Sequence, residues 1–356
     1  MRRDVVVIGA SAGGIESLVQ IMGGLPADFP AAVAVVLHVP PDNPSVLPRI
    51  LARSGALPCD SPRDRQRLEP GRVYVARPDH HLLIRRGHFR VTRGPRENGF
   101  RPAVDPLFRT AALAYGPRVI GVVLSGNLDD GTVGLAMVQR HGGVTMVQDP
   151  ADANYPGMPA SAIAHVHVNH IAPASEIADL LTQLVHEEIA EEGVGAVTDD
   201  ASMEADVAEM DETAVHNLHR PGEPAGFGCP ECGGALFVVE DAGPTHFRCR
   251  VGHAWSPDSL LAAQGDTLEA ALWTALRALE ESVALSVELA NRMRRRSSRS
   301  ARRFEDQAQI ARYHANVIRE VLQKEQRPSR ANSEIADEIA AEAEANGAIG
   351  PAAERG

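Results

Sequence analysis

Two groups of residues in this chain have the types and spacing to do chemistry. Ser11 lies in Gly9-Ala10-Ser11-Ala12-Gly13-Gly14, His38 follows the apolar run Ala32–Leu37, and Asp130 lies in Ser125-Gly126-Asn127-Leu128-Asp129-Asp130-Gly131. A hydroxyl, an imidazole and a carboxylate that converge can carry out nucleophilic acyl transfer. The imidazole takes the hydroxyl proton, and the carboxylate fixes its tautomer and stabilises the imidazolium. The glycine-rich turn is not a dinucleotide fingerprint, because Ser11 replaces the second glycine of GxGxxG, and it lacks the Gly-Lys-Ser/Thr end of a P-loop. Taken singly, each residue has a plainer reading: Ser11 as a helix cap, His38 as a packed histidine, Asp129 or Asp130 as a turn residue.

The second group is Cys229, Cys232, Cys249 and His253, with two, sixteen and three residues between successive members. That spacing suits a closed tetrahedral Cys₃His zinc site, structural because four protein ligands leave no open position. His246 is a substitute ligand at a less usual spacing. A thioredoxin-like redox pair is the rival, but no βαβ pattern surrounds the CxxC. Chelation is expected to unfold this module and spare the α/β unit that precedes it. Cys59 stands alone in a Pro-rich loop and is assigned no role.

The elements that must position these residues are legible as patterns. Asp4–Ile8, Ala32–Leu37, Arg72–Ala76 and Val119–Ser125 are short β-branched apolar runs, as in strands buried on both faces of a parallel sheet. Helix patterns at Ile15–Met22, Asp105–Ala114 and Val133–His141 alternate with them, which predicts βαβ units. His81–Ile84 and His88–Thr92 read as a hairpin at one side. The expected fold is a doubly wound, mostly parallel α/β sheet with mixed edges, plus a small zinc ribbon and an α-helical hairpin. In such a sheet the strands' carboxyl ends share one edge, so Ser11, His38 and Asp130 can meet although the first and last are 119 positions apart.

Composition bounds the rest. The chain has 356 residues, 44% of them hydrophobic, which excludes a wholly disordered chain, and a net charge of −12, which argues against a duplex-binding protein. No apolar run approaches the length of a membrane span, and neither a signal-peptide core nor a cleavage site is apparent. Four cysteines, three of them clustered, suit a reducing cytoplasm, the expected location. The expected units are 1–186, the α/β domain; 187–225, a linker; 226–262, the zinc-ribbon-like module; 263–326, the helical hairpin; and 327–356, a disordered tail. Glu187–Glu212 holds eleven acidic residues and no basic one, the mark of a solvated segment. Arg294–Arg303 reads as a solvated basic turn between two amphipathic helices.

Several separate stretches then converge on one family. They are Ile8–Gly14, Leu37–Pro40, Ala76–Leu82, Arg101–Asp105, Leu124–Gly126 with Asp130-Gly131, Gly142–Asp149 and Gly157–Pro159. With these motifs in order, residues 3–185 resemble the catalytic domain of CheB-type chemotaxis protein-glutamate methylesterases. The resemblance implies Ser11 as nucleophile, His38 as general base and Asp130 as orienting carboxylate, with Asp129 the runner-up. It also implies oxyanion donors at the backbone of Ala12 and Asn127, no cofactor for catalysis, and methylated helices of receptors or other signalling proteins as partners. The implied reaction is hydrolysis of glutamate γ-methyl esters, with glutamine deamidation open to the same site.

The chain departs from the family pattern in three places. Ala12 stands where the family has Thr, and Gly126-Asn127-Leu128 stands where it has Gly-Met-Gly, so a left-handed φ at Leu128 would be strained. The first strand starts at Asp4, so regulation by an attached receiver domain is not expected. The alternative is a weakly active or inactive adaptor working through the ribbon and helices, which also leave self-association open.

Overall fold

The computed structural model describes residues 1–41, 45–189, 199–209, 222–239 and 243–325. Its centre is a seven-stranded sheet in the order β3-β4-β2-β1-β7-β8-β9. The strands are β1 (Val5–Ala10), β2 (Ala32–Leu37), β3 (Cys59–Asp60), β4 (Arg72–Val75), β7 (Val119–Val123), β8 (Val144–Gln148) and β9 (His170–Ala172). Every pairing in this sheet is parallel, so among the described residues the expected mixed edges are not found. The hairpin, β5 (His81–Arg85) and β6 (His88–Thr92), forms its own two-stranded sheet instead of an antiparallel edge. The Ile84 N–H donates to Thr110 Oγ1 at 3.0 Å, which ties β5 to the helix α3 (Val104–Tyr115).

Alternation along β1 explains the layers. Val6 and Ile8 point into a core with Leu18 and Ile21 of α1 (Gly14–Gly24), Leu47 and Leu51 of α2 (Leu47–Ser54), and Ile177 and Leu181 of α6 (Ala174–His186). Val5 and Val7 point to the opposite core, with α3, α4 (Thr132–Arg140) and α5 (Gly157–His165). A strand apolar on both sides can only sit between two such layers. The chain runs outward from β1 through β2 and β4, then returns to place β7 on the other side of β1. The crevice between β1 and β7 at their carboxyl ends is therefore the topological switch point.

The cysteine-bearing segment is a four-stranded antiparallel sheet of β10 (Pro224–Gly228), β11 (Ala235–Val239), β12 (His246–Cys249) and β13 (Ala254–Trp255). It belongs to the same compact unit as the large sheet, Met1–Leu260. The stretch read as a solvated linker holds a helix, α7 (Asp199–Ala208), in which Glu204, Ala205, Val207 and Ala208 are buried. Acidic composition there reflects buried ion pairing as well as solvation. The rest of that stretch, 190–198 and 210–221, and the expected tail at 327–356 lie outside the described residues.

The second unit, Leu261–Glu338, contains most of α8 (Pro257–Met293) and α9 (Ser298–Glu325), in which Leu276, Ala315 and Leu322 form a small core. The basic turn is shorter than expected. Ser297 Oγ accepts the Ser300 N–H at 3.3 Å, an N-terminal cap that starts α9 before the last arginines. No helix among the described residues is long and apolar enough to cross a membrane.

Candidate active site and metal centre

Each of three strand ends delivers one side chain to the crevice: Ser11 follows β1, His38 follows β2 and Asp130 follows β7. The Ser11 hydroxyl donates to His38 Nδ1 at 3.1 Å, and His38 Nε2–H donates to Asp130 Oδ2 at 2.7 Å. The His38 and Asp130 side chains are almost fully shielded from solvent. Ser11 is held by its own N–H, which donates to the Ser125 carbonyl at 2.9 Å. Ser125 is in turn fixed by its N–H to Gln148 Oε1 and its hydroxyl to the Ala12 carbonyl. Gly126 must be glycine, since a Cβ there would fall 2.1 Å from Met158 Sδ and 2.8 Å from Ser11 Cβ.

Asp130 is surrounded by donors. Oδ2 also accepts the Val104 N–H at 2.7 Å, and Oδ1 accepts the Asn98 side-chain amide at 2.9 Å and the Asp105 N–H at 3.3 Å. The backbone donors belong to the first turn of α3, whose dipole favours an anion. Burial alone would raise the Asp130 carboxyl. The bond to His38, the Val104 N–H and the Asn98 amide outweigh it and hold Asp130 below the ordinary carboxylate range. The neighbouring Asp105 goes the other way, pushed well up by burial and by the charge of Asp130.

Asp129, the runner-up carboxylate, faces elsewhere. It accepts the hydroxyls of Ser256 at 2.6 Å and Ser259 at 2.5 Å and the Asp258 N–H at 3.1 Å, capping the start of α8. Of the adjacent pair, Asp130 alone reaches His38. The Leu128 residue adopts φ +61°, the left-handed conformation that the sequence marks as strained. Asn127 is exposed, and among the described residues no acceptor is bonded to its N–H or to that of Ala12.

Sequence reasoning missed two residues here. Phe100 stacks on His38, and Asn98 supports Asp130. Both lie in Glu97-Asn98-Gly99-Phe100, a tight hairpin turn with φ +53° at Asn98 and +78° at Gly99. Asn-Gly is the dipeptide that favours such a turn, and was the available signal. His81 fixes this segment from below: Nε2–H donates to the Pro95 carbonyl at 2.8 Å and Nδ1 accepts the Ala103 N–H at 3.3 Å.

The ligand atoms of Cys229, Cys232, Cys249 and His253 all lie within 4.8 Å of one another. Cys232 and Cys249 sulfurs are 3.7 Å apart, and His253 Nδ1 lies 3.5 Å from Cys249 and 3.8 Å from Cys229. A tetrahedral ion with metal–sulfur bonds of about 2.3 Å would hold its sulfurs about 3.8 Å apart, so the donor set fits a metal ion. Trp255 Nε1–H donates to Cys229 Sγ at 3.4 Å, an outer contact typical of such sites. Burial pushes the Cys249 thiol up to about 11, so an ion binding there must displace its proton. His246 is not among these ligands, because its Nε2 bonds Glu204 at 2.8 Å. Cys59 also stays a thiol, raised to about 12 by burial and by Asp60.

A buried ion network joins the elements around the site. Arg109 bonds Glu97 at 2.7 Å, and Arg248 reaches Glu204 at 3.0 Å and Glu97 at 3.3 Å. Burial would raise both carboxyls. The arginines reverse this for Glu97, and His246 with the arginines holds Glu204 well below its ordinary value.

Comparison with known proteins gives a consistent picture for the first half of the chain. A family model described as CheB methylesterase matches residues 6–181. A protein of Leptospira interrogans called putative protein-glutamate methylesterase/protein-glutamine glutaminase is 36% identical over 185 residues, covering 52% of this chain and 96% of that protein. One from Anaeromyxobacter dehalogenans, called protein-glutamate methylesterase/protein-glutamine glutaminase 2, is 39% identical over 183 residues, 51% of this chain and 54% of that protein. The matched region thus spans about half the length of the second relative. The crystal structure of the Thermotoga maritima CheB methylesterase catalytic domain matches with a TM-score of 0.50 at 34% identity, covering 52% of this chain and all of that one.

Proposed function

The chain belongs to the CheB methylesterase family, and on that premise we propose that it hydrolyses glutamate γ-methyl esters on helices of receptor-like signalling proteins. The observation that carries this reading is the Ser11–His38–Asp130 chain of hydrogen bonds, closed at both ends. Ser11 Oγ attacks the ester carbonyl while its proton passes to His38 Nδ1. The backbone N–H groups of Ala12 and Asn127 serve as donors to the oxyanion. The protonated imidazole, stabilised by Asp130, returns the proton to the departing methoxide, which leaves as methanol. Water then attacks the acyl-enzyme with His38 as base, releasing the glutamate carboxylate and restoring Ser11. Positioned proton transfer of this kind contributes on the order of 10²–10⁴ in rate.

The relatives named for glutaminase activity support a second reaction at the same residues, in which ammonia replaces methanol as leaving group. The adaptor alternative rests on Leu128. Its left-handed φ is, however, the conformation a glycine-bearing turn would use, so the donor turn keeps its shape at the cost of strain. Catalysis uses no cofactor in this scheme. One zinc ion, held by Cys229, Cys232, Cys249 and His253, ties β10–β13 together and takes no part in the reaction. The cytoplasm is the proposed location, consistent with free thiols at that cluster.

The direct test is incubation of the full chain with a methylated receptor signalling domain, following methanol release. Absence of both methanol and ammonia release, with Ser11 inert to a fluorophosphonate, would refute the hydrolase reading.

A further inference from the structure

The ribbon module reaches the triad through one side chain. Asn98 is buried, 5% exposed, and its amide is used in both directions. Nδ2 donates to Asp130 Oδ1 at 2.9 Å and to Asp105 Oδ2 at 3.0 Å. Oδ1 accepts the Ser256 N–H at 2.8 Å, while the Ser256 hydroxyl, 2.9 Å from it, gives its one proton to the closer Asp129 Oδ1 at 2.6 Å. We propose that Asn98 is a positioning residue for the Asp130 carboxylate, and that through Ser256 the metal-bearing module sets its orientation. The proposal rests on the hydrolase reading above.

An amide can be inserted in two orientations that differ only by exchange of oxygen and nitrogen. Here the Ser256 N–H, which can only donate, selects the one that points NH₂ at Asp130 and Asp105. Without that N–H in place, nothing on that side selects the oxygen, and a flipped amide would set its oxygen against Asp130. Ser256 is three positions beyond the ligand His253, so the ion's ligands fix the segment that carries it. The backbone of this segment is tied to the same turn: the Asn98 N–H donates to the Ala254 carbonyl at 2.8 Å, and the Ala254 N–H to the Arg96 carbonyl at 3.3 Å. Asp129, next to Asp130 in the chain, bonds Ser256 as well. The expectation that removing metal would spare the α/β unit is thereby revised: loss of the ion should slow the chemistry at Ser11, some 245 positions upstream of Ser256.

The test uses the full chain loaded with zinc and a fluorophosphonate probe. The Asn98→Gly variant removes the amide and still allows the left-handed backbone. It should label with kinact lowered about tenfold or more and KI unchanged, a loss of positioning and not of probe binding. Ser256→Ala leaves every metal ligand and the Ser256 N–H in place and removes only the hydroxyl bond to Asp129 that seats this segment, so it should lower kinact by less than Asn98→Gly does, with one zinc still bound. In proton NMR, the downfield resonance of the His38–Asp130 hydrogen bond should broaden or vanish in Asn98→Gly and in wild type stripped by chelator. Stripping should cost wild type as much as Asn98→Gly does, add little in that variant, and be reversed by zinc. A labelled wild type whose kinact is unaltered by metal removal, or by both substitutions, overturns this coupling alone. A wild type that never labels overturns the hydrolase reading and the coupling with it.

Discussion

The imidazole of His38 lies face to face on the ring of Phe100, with centroids 3.6 Å apart and planes inclined by 6°. A stacked ring can rotate only in its own plane, so the contact keeps both nitrogens in the plane shared by Ser11 and Asp130. Such pairs are worth about 0.5–1.5 kcal/mol. Phe100→Leu should therefore lower the rate of ester hydrolysis by about three- to tenfold, with KM little altered. Steady-state kinetics on a methylated receptor domain checks this.

Ser11→Ala removes the attacking oxygen without disturbing the apolar strands beneath it. Methanol release should fall by about 10³-fold or more, while circular dichroism and the melting temperature stay near those of wild type. Turnover retained at a tenth of the wild-type rate would remove Ser11 from the mechanism.

Leu128 is a rare case in which leucine to glycine should not destabilise. A non-glycine residue in the left-handed region costs about 1–2 kcal/mol, and Leu128 is only partly buried. Leu128→Gly should leave the melting temperature unchanged or raise it by a few degrees. A fall of more than about 4 °C, equivalent to roughly 1–2 kcal/mol for a unit of this size, would show that side-chain packing outweighs the strain.

The proposed zinc site makes a quantitative prediction of its own. The purified chain should carry one zinc per molecule, and Cys232→Ser should lose it, as measured by elemental analysis. Because binding must displace the Cys249 proton, zinc affinity should fall as pH is lowered. A competition titration with a chromophoric chelator at several pH values measures the slope.

Acid stability should depend on Glu204. Its folded-state carboxyl is held well below the unfolded value of about 4.3. A depressed acid contributes stability that is present above the unfolded value and is lost as pH falls through the folded one. The melting-temperature gap between wild type and Glu204→Gln should thus be wide near pH 7 and close as pH drops below about 4. At neutral pH the gap should be several degrees, since breaking a buried ion pair costs about 3–5 kcal/mol. A gap independent of pH would mean that the charge of Glu204 is not what matters.

Much of this architecture was legible in the chain itself. β2 runs from Ala32 to Leu37 as its apolar run predicts, and α3 and α4 differ from their patterns by a residue at each end. Periodicity suffices there because a strand buried on both faces, or a helix buried on one, writes its surroundings into consecutive residues. The parallel sheet's strand ends also put Ser11 and His38 on one edge. Other features left no such trace. Asp129 and Asp130 are identical in type and adjacent, and which of them meets His38 depends on the Asn98, Val104 and Ser256 groups brought from distant positions. Glu204 looks like any other member of an acidic run until Arg248, Arg109 and His246 enclose it. The sequence by itself determined the elements, because they depend on local pattern. Only the tertiary structure decided which polar groups pair, because hydrogen bonds and ion pairs depend on distances between residues that the chain keeps far apart.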